Sequence, residues 1–292
     1  MPSLRWKAAR RSVRMNRTVI GVLGLMKAYR VGIAGYGAIG KSLLKALDGG
    51  IEGLRLTAIA VRDPAKGPDL GGCAHPPLVT TIAGLEPHCD IVIECAPAEL
   101  LPSIAEPFLR AGKKVVVLSS GALLRHWRLT ELAAQTGGQI LVPSGALLGL
   151  DAMVAAAEGN IHSVKMVTRK PVRGLKGAPY LEKNNIDLAE ISESTLIFRG
   201  TPREAAIGFP ANLNVSVSLS LAGIGPDKTE LEIWADPLLT RNMHRVEVVS
   251  DSAFFSMEIQ NIPSENPKTG RITAQSVIAL LRKLVAPVCI GT

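Results

Sequence analysis

Val31-Gly-Ile-Ala-Gly35-Tyr-Gly37-Ala-Ile-Gly40-Lys41-Ser42 decides the fold, because this one stretch satisfies two phosphate-binding patterns at once. Read as Gly-x-Gly-x-x-Gly, it has Gly35 making a tight turn off a strand, Gly37 letting the backbone approach a pyrophosphate, and Gly40 seating the next helix on the sheet. Read as Gly-x-x-x-x-Gly-Lys-Ser, it has Lys41 able to reach the β/γ-phosphates and Ser42 in the required place. Both readings want a strand before and a helix after. In either, Ala38, Ile39 and Gly40 open the helix whose positive end faces the anion.

The rest of the chain separates the two. A phosphate-loop NTPase needs an Asp at the end of a second apolar strand to hold magnesium. The best candidate, Ile91-Val-Ile-Glu94, ends in Glu and runs straight into Cys95-Ala96-Pro97. A dinucleotide fold instead wants an acid about 20 positions past the glycines, at the end of the second strand. Ile59-Ala-Val-Arg62-Asp63 places Asp63 there, to bind the ribose hydroxyls. Arg62 beside it either accommodates a 2′-phosphate or is a solvated loop charge, so the expected cofactor is NAD or NADP. The turn carrying Ala96 and Pro97 lines the cofactor crevice in this reading; the alternative is an ordinary strand-to-helix turn.

Downstream of residue 30, short β-branched runs alternate with helical stretches. Strands are expected at 31–34, 54–61, 90–95, 114–118 and 139–142, and helices at 39–47, 98–111 and 128–136. Continuous apolar runs such as Val115-Val-Val-Leu118 suit strands buried on both faces of a parallel sheet. After Pro143 the texture changes: strand-like segments at 164–168, 195–199, 215–219, 229–234, 244–249 and 254–259 read as a second domain. The fold class is therefore α/β, a doubly wound parallel Rossmann-type sheet with a second, mixed, mostly antiparallel α+β domain. The expected divisions are a basic extension over 1–28, a dinucleotide-binding domain over 29–145, and a substrate and dimerisation domain over 146–268. A C-terminal helix over 269–292 is expected to pack back on the first domain.

The chain has 292 residues and a formal charge of +8, but the basicity is local. Eight of its 33 Lys and Arg lie in residues 1–30, where there is no acid, leaving 25 against 25 Asp and Glu in the body. Such a leader reads as a disordered extension, sequence upstream of a start at Met26, a targeting segment or a nucleic-acid arm. No nucleic-acid partner is expected for the neutral body. No apolar run approaches the roughly 18 residues of a membrane span. Cys73, Cys89, Cys95 and Cys289 lack metal-ligand or disulfide spacing, so no metal is expected and a cytoplasmic setting is simplest.

Several motifs recur in order: Glu94-Cys-Ala-Pro97, Pro143-Ser-Gly-Ala146-Leu-Leu-Gly-Leu-Asp151, Phe209-Pro-Ala-Asn212-Leu-Asn214-Val, Ala235-Asp236-Pro237, Arg241-Asn242-Met-His244 and Asn261-Ile-Pro263-Ser-Glu-Asn266-Pro267-Lys-Thr-Gly270. With the glycine run, they resemble the L-aspartate dehydrogenase family throughout residues 29–285. The resemblance implies NAD(P)-dependent oxidative deamination of L-aspartate through iminoaspartate to oxaloacetate and ammonia, and the reverse amination. It also implies His244 as the catalytic acid/base, and Ala146 and Asn214 as contacts to the cofactor near its nicotinamide. The leader before Met26 has no counterpart in the family.

Chemistry supports the histidine independently. Hydride removal from an amino-acid Cα needs a neutral amine, and imine hydrolysis needs an activated water, so a group titrating near pH 7 is wanted. His75, His88, His126 and His162 read as surface residues, whereas His244 starts a strand after a polar turn. A dicarboxylic substrate also needs cationic clamps, for which Arg169, Lys170, Arg173, Arg241 and Lys268 are candidates. Ser144 and Asn212 are candidate polar contacts. Asp236 either orients His244 or initiates the Asp-Pro turn, and the turn is preferred. Competing functions are a related two-domain reductase of another small carboxylic substrate and a non-catalytic dinucleotide-binding protein. A homodimer is expected.

Overall fold

Apolar runs too short for helices and too continuous for an exposed sheet form a parallel sheet in the computed structural model, which describes residues 28–210, 213–263 and 270–292. The basic leader up to residue 27, Asn212 and Lys268 lie outside the described residues. Strands β1 (Tyr29–Ala34), β2 (Leu54–Ala60), β3 (Leu78–Thr80), β4 (Ile91–Glu94), β5 (Lys114–Val117) and β6 (Gln139–Leu141) pair in the order β3-β2-β1-β4-β5-β6. All five pairings are parallel. Chain order reverses between β1 and β4, and such a switch point opens a crevice at the carboxyl ends of the strands. The edge strand β3 was not expected from the sequence; three residues are too few to carry a period.

Helices α1 (Ala38–Asp48), α2 (Leu101–Arg110), α3 (Ser120–Arg125) and α4 (Arg128–Thr136) belong to this first unit. The second unit holds α5 (Leu150–Ala157), β7 (Ile161–Pro171), α6 (Pro179–Lys183), β8 (Thr195–Gly200), α7 (Pro202–Gly208), α8 (Asn214–Ala222), β9 (Glu230–Asp236), β10 (Asn242–Ser250) and β11 (Phe254–Asn261). Its five strands pair in the order β11-β10-β7-β9-β8, with only β7 and β9 parallel. The chain ends in α9 (Ile272–Val285).

Both faces of the first sheet are covered. On one, Leu43 and Leu47 of α1 and Val277 and Leu281 of α9 share a core with Val31, Ile33, Ile91 and Ile93. On the other, Ile104, Phe108 and Leu109 of α2 and Leu129 of α4 pack on Val92, Val115 and Val117. Each such side chain removed from water contributes about 1.5–3 kcal/mol, which is why these strands read as unbroken apolar runs. The second sheet has one core face, where Val164, Met166, Leu231, Ile233, Val246 and Val248 meet Met153, Leu181, Ala205, Phe209, Val217 and Leu219.

One element differs from its sequence reading. Residues 215–219 alternate Val-Ser-Val-Ser-Leu, a period of two that reads as a strand, yet they lie within helix α8. The alternation misleads because this helix is enclosed, so serines and aliphatics alike are buried. The hydroxyls are satisfied locally: Ser216 Oγ donates to the Leu213 carbonyl at 3.0 Å and Ser220 Oγ to that of Val217 at 2.9 Å. Ser218 Oγ donates to Ser120 Oγ at 3.1 Å, across the junction between the units.

Candidate active site

The glycine turn is built as its three positions require. Gly35 has φ +106°, in the region that favours glycine, and a Cβ there would lie 2.6 Å from the Cys95 carbonyl oxygen. A Cβ at Gly40 would meet the Gly35 carbonyl oxygen at 2.3 Å, so α1 packs closer than any side chain allows. Gly37, by contrast, faces open space, with nothing within 4 Å of a Cβ. It is also the N-cap of α1, which has no side-chain cap and no acid in its first turn. Uncapped amides at an open helix N-terminus fit a pyrophosphate. Ser42 Oγ donates to the Ala38 carbonyl at 2.9 Å, a bond within its own helix. The Gly35 amide donates to the carbonyl of Ala60 at 2.9 Å, so β2 ends beside the turn. Arg62 and Asp63 follow, both exposed, with Asp63 Oδ1 accepting from the Ala65 amide at 3.1 Å.

From this crevice a cavity runs between the two units. The first contributes Ile39, Glu94, Cys95, Ala96, Leu118 and Ser119; the 143–146 segment contributes Ser144 and Ala146; the second contributes Lys170, Asn214, Ser218, Asn242, His244 and Asn261. Several hydrogen bonds hold its walls together. Ser120 Oγ donates to the Asn214 carbonyl at 2.6 Å, and the Gly121 amide to Asn214 Oδ1 at 3.1 Å. The Gly145 amide donates to Ser276 Oγ of α9 at 3.0 Å, and Asn261 Nδ2 to the Ala146 carbonyl at 2.9 Å. The buried Glu94 carboxylate, ending β4, accepts from the amides of Leu118 and Ser119 at 3.1 and 2.8 Å and from Ser119 Oγ at 3.0 Å. Burial raises its pKa while these donors lower it, and burial prevails.

Sheet register brings the polar residues of the second unit together. Asn242 pairs with Asn261 across β10 and β11, and His244 pairs with Thr168 across β10 and β7. Lys170 lies one residue beyond the Met243–Arg169 pair, so Lys170, Asn242 and Asn261 form a rank over three adjacent strands. His244 is two residues from Asn242 and shares its face. It is 3% exposed, with Nδ1 3.2 Å from Thr168 Oγ1. Desolvation, assisted by the Lys170 ammonium, lowers the imidazole pKa to about 3. The ring is thus neutral at pH 7, rather than titrating there as expected from the sequence.

The cavity gathers Ile39, Ala96, Ser144, Ala146, Lys170, Asn214 and His244 among the residues anticipated from sequence. Gly35, Gly37, Ala38, Gly40, Arg62, Asp63 and Pro97 lie outside its lining, along the glycine turn and the ends of β2 and β4. Arg241 is exposed on the turn before β10, outside the cavity lining, and its neighbour Asn242 lines the cavity. Arg169 also faces away, since strand alternation puts it opposite Lys170; it lies over the Trp234 ring at 5.1 Å. Arg173 is exposed. Asp236 serves its turn, accepting from the Leu238 amide at 3.0 Å. Polar cavity residues without an assigned role in the sequence are Glu94, Ser119, Ser218, Asn242, Asn261 and Thr273. Asn242 was within reach, because an i, i+2 spacing from His244 shares a face on a strand.

A parallel sheet of this order with an open glycine turn, facing a mixed sheet that carries a buried histidine into the same cavity, defines an NAD(P)-dependent two-domain dehydrogenase. A family model for the aspartate dehydrogenase C-terminal domain matches residues 151–284, and one for the homoserine dehydrogenase NAD-binding domain matches 35–143. The sequence is 60% identical to the L-aspartate dehydrogenase of Bradyrhizobium diazoefficiens over 264 residues, covering 90% of this chain and 94% of that protein. The chain belongs to the L-aspartate dehydrogenase family. It is likewise 58% identical to L-aspartate dehydrogenase 3 of Bordetella bronchiseptica, over 90% of this chain and 97% of that one. The crystal structure of aspartate dehydrogenase from Thermotoga maritima shares the fold, with a TM-score of 0.69 at 22% identity, covering 90% of this chain and 99% of that one.

Proposed function

We propose that the protein catalyses NAD(P)-dependent oxidative deamination of L-aspartate, through iminoaspartate, to oxaloacetate and ammonia, and the reverse amination. The observation that carries this reading is the buried neutral His244 with the Lys170 ammonium beside it, in a cavity continuous with the glycine-turn crevice. Gly35, Gly37, Ala38, Ile39 and Gly40 would seat the pyrophosphate, Asp63 and Arg62 would meet the adenosine ribose, Ala96 and Pro97 would line the cofactor crevice, and Ala146 and Asn214 would flank the nicotinamide side. A bound NAD(P)⁺ would supply the acceptor for the hydride that leaves the substrate Cα.

Neutral His244 accepts a proton from the substrate ammonium, so that the nitrogen lone pair can support hydride departure. His244 hands that proton to solvent, and in the hydrolytic half it accepts one from the water attacking the imine carbon and returns it to the leaving amine. A pKa of about 3 is low for a base, with desolvation its larger cause and the Lys170 cation its lesser one. Each carboxylate entering beside Lys170 offsets the cation and shifts the imidazole upward. Lys170 holds a carboxylate, and Ser144 supplies a polar contact at the same wall.

The second sheet's other face carries Lys165, Arg245, Glu247 and the Arg169–Trp234 stack, half-exposed or exposed. We assign this face to a second copy in a homodimer. Among the described residues no helix is long and apolar enough to cross a membrane. The test is to assay L-aspartate with NAD⁺ and NADP⁺ separately. Wild type produces NAD(P)H, and His244→Ala loses about 10²–10⁴-fold in kcat while still binding NADH. Equal turnover in the variant would remove His244 from its role.

A further inference from the structure

Asn261 ends β11 and is 4% exposed, and only half of its carboxamide is used. Nδ2 donates to the Ala146 carbonyl at 2.9 Å. That bond fixes the amide's orientation, since a flipped amide would set oxygen against oxygen. Oδ1 is buried and has no hydrogen-bond partner among the described residues. An unpaired acceptor of this kind is costly in a folded interior, and where it persists it calls for a functional explanation.

Its surroundings specify the partner. Asn261 lines the cavity in the same rank as Lys170 and Asn242, two residues along the sheet from His244. Gly270 lines the cavity too, and its backbone does not need glycine, as its φ is not in the left-handed region. What glycine spares is space, because a Cβ there would sit 3.3 Å from Asn261 Oδ1. A buried acceptor with its approach kept clear takes a hydrogen-bond donor. In the proposed reaction the carboxylates of the substrate and the ketone of oxaloacetate are acceptors only. The substrate nitrogen, as amine or iminium, is the group at the reacting carbon that brings an N–H.

We infer that Asn261 Oδ1 accepts an N–H from the nitrogen on the substrate's reacting carbon, and so makes the site select an imine over the corresponding ketone. This rests on the aspartate dehydrogenase reading above. An imine nitrogen satisfies Oδ1, whereas a ketone oxygen in its place leaves two acceptors facing each other. A site built to pair with an N–H discriminates strongly against an analogue that lacks it. Asn261 thereby suppresses reduction of oxaloacetate to malate at the same centre.

The experiment measures oxaloacetate-dependent NADH oxidation with and without ammonia, separating aspartate from malate in the products. Asn261→Leu is expected to lower the kcat/KM of amination about 10²-fold, with NADH affinity and ketone reduction retained, so that the aspartate-to-malate ratio falls. Gly270→Ala sets a Cβ 3.3 Å from both Oδ1 and Cβ of Asn261, removes no hydrogen-bonding group, and shifts the ratio the same way; it serves also if Asn261→Leu does not fold. A parallel loss of both activities in the folded variants would reduce Asn261 to a structural role and overturn the inference. So would a loss of NADH affinity with unchanged aspartate kinetics, which would give the N–H to the nicotinamide carboxamide. Failure of wild type to form aspartate at all would instead overturn the underlying reading.

Discussion

His244 and Thr168 are direct partners in the register of two adjacent antiparallel strands, and their side chains meet, Nδ1 to Oγ1, at 3.2 Å. Both are buried, so this bond governs the ring's tautomer. A threonine hydroxyl can donate to Nδ1 or accept from it, and so can follow the imidazole between acid and base roles. Thr168→Val keeps the shape and removes the hydroxyl. We expect a fall in kcat of about tenfold at unchanged NADH affinity, measured by steady-state kinetics and NADH fluorescence titration.

Acid stability should carry the signature of the same histidine. The folded-state pKa is about 3, below the ordinary value near 6.5. The unfolded chain therefore binds a proton that the native one refuses, and stability rises with pH through this window. The contribution is complete above about pH 6.5 and is lost as pH falls toward 3. Denaturant unfolding at pH 7 and 4.5 should show wild type losing more stability than His244→Asn, by an amount of the order of a few kcal/mol. Identical losses would contradict the depressed pKa.

In the proposed mechanism Lys170 acts on substrate and histidine together. In Lys170→Met the carboxylate loses its cation, and KM for L-aspartate is expected to rise about 10²-fold. The cation also depresses the imidazole, so its removal should move the acid limb of the kcat/KM profile to higher pH. A pH–rate series on both proteins measures the shift and its direction.

In the proposed reading, cofactor choice rests on Arg62 and Asp63, the two exposed residues after β2. Arg62→Ala should lower kcat/KM with NADP⁺ about tenfold and leave NAD⁺ nearly unaffected; Asp63→Ser should do the reverse. Parallel assays with the two cofactors decide this. No change in either variant would place the ribose elsewhere.

Most of the first unit could be read because its signals are local. A run such as Val115-Val-Val-Leu118 is apolar throughout since both of its faces are covered, and Gly40 is required by one contact to Gly35 five residues away. Helix α8 was misread because its serines are buried against an element almost 100 residues distant, and periodicity cannot register an enclosed helix. Arg169 and Lys170 are equally basic, but the strand's alternation sends one to the outer face and the other to the cavity. Arg241 and Asn242 divide similarly at the start of β10.

By itself, the sequence determined the glycine turn and the parallel sheet that follows from it, because each rests on residue type and short-range spacing. It also supported the dinucleotide reading, through Asp63 and the turn after β4. Only the tertiary structure decided which polar residues share the cavity. Lys170, Asn242, Asn261 and His244 meet through strand register, and Asn214 and Ala146 through hydrogen bonds between the two units. Those pairings span up to 115 residues, and the unpaired oxygen of Asn261 exists only once they are made.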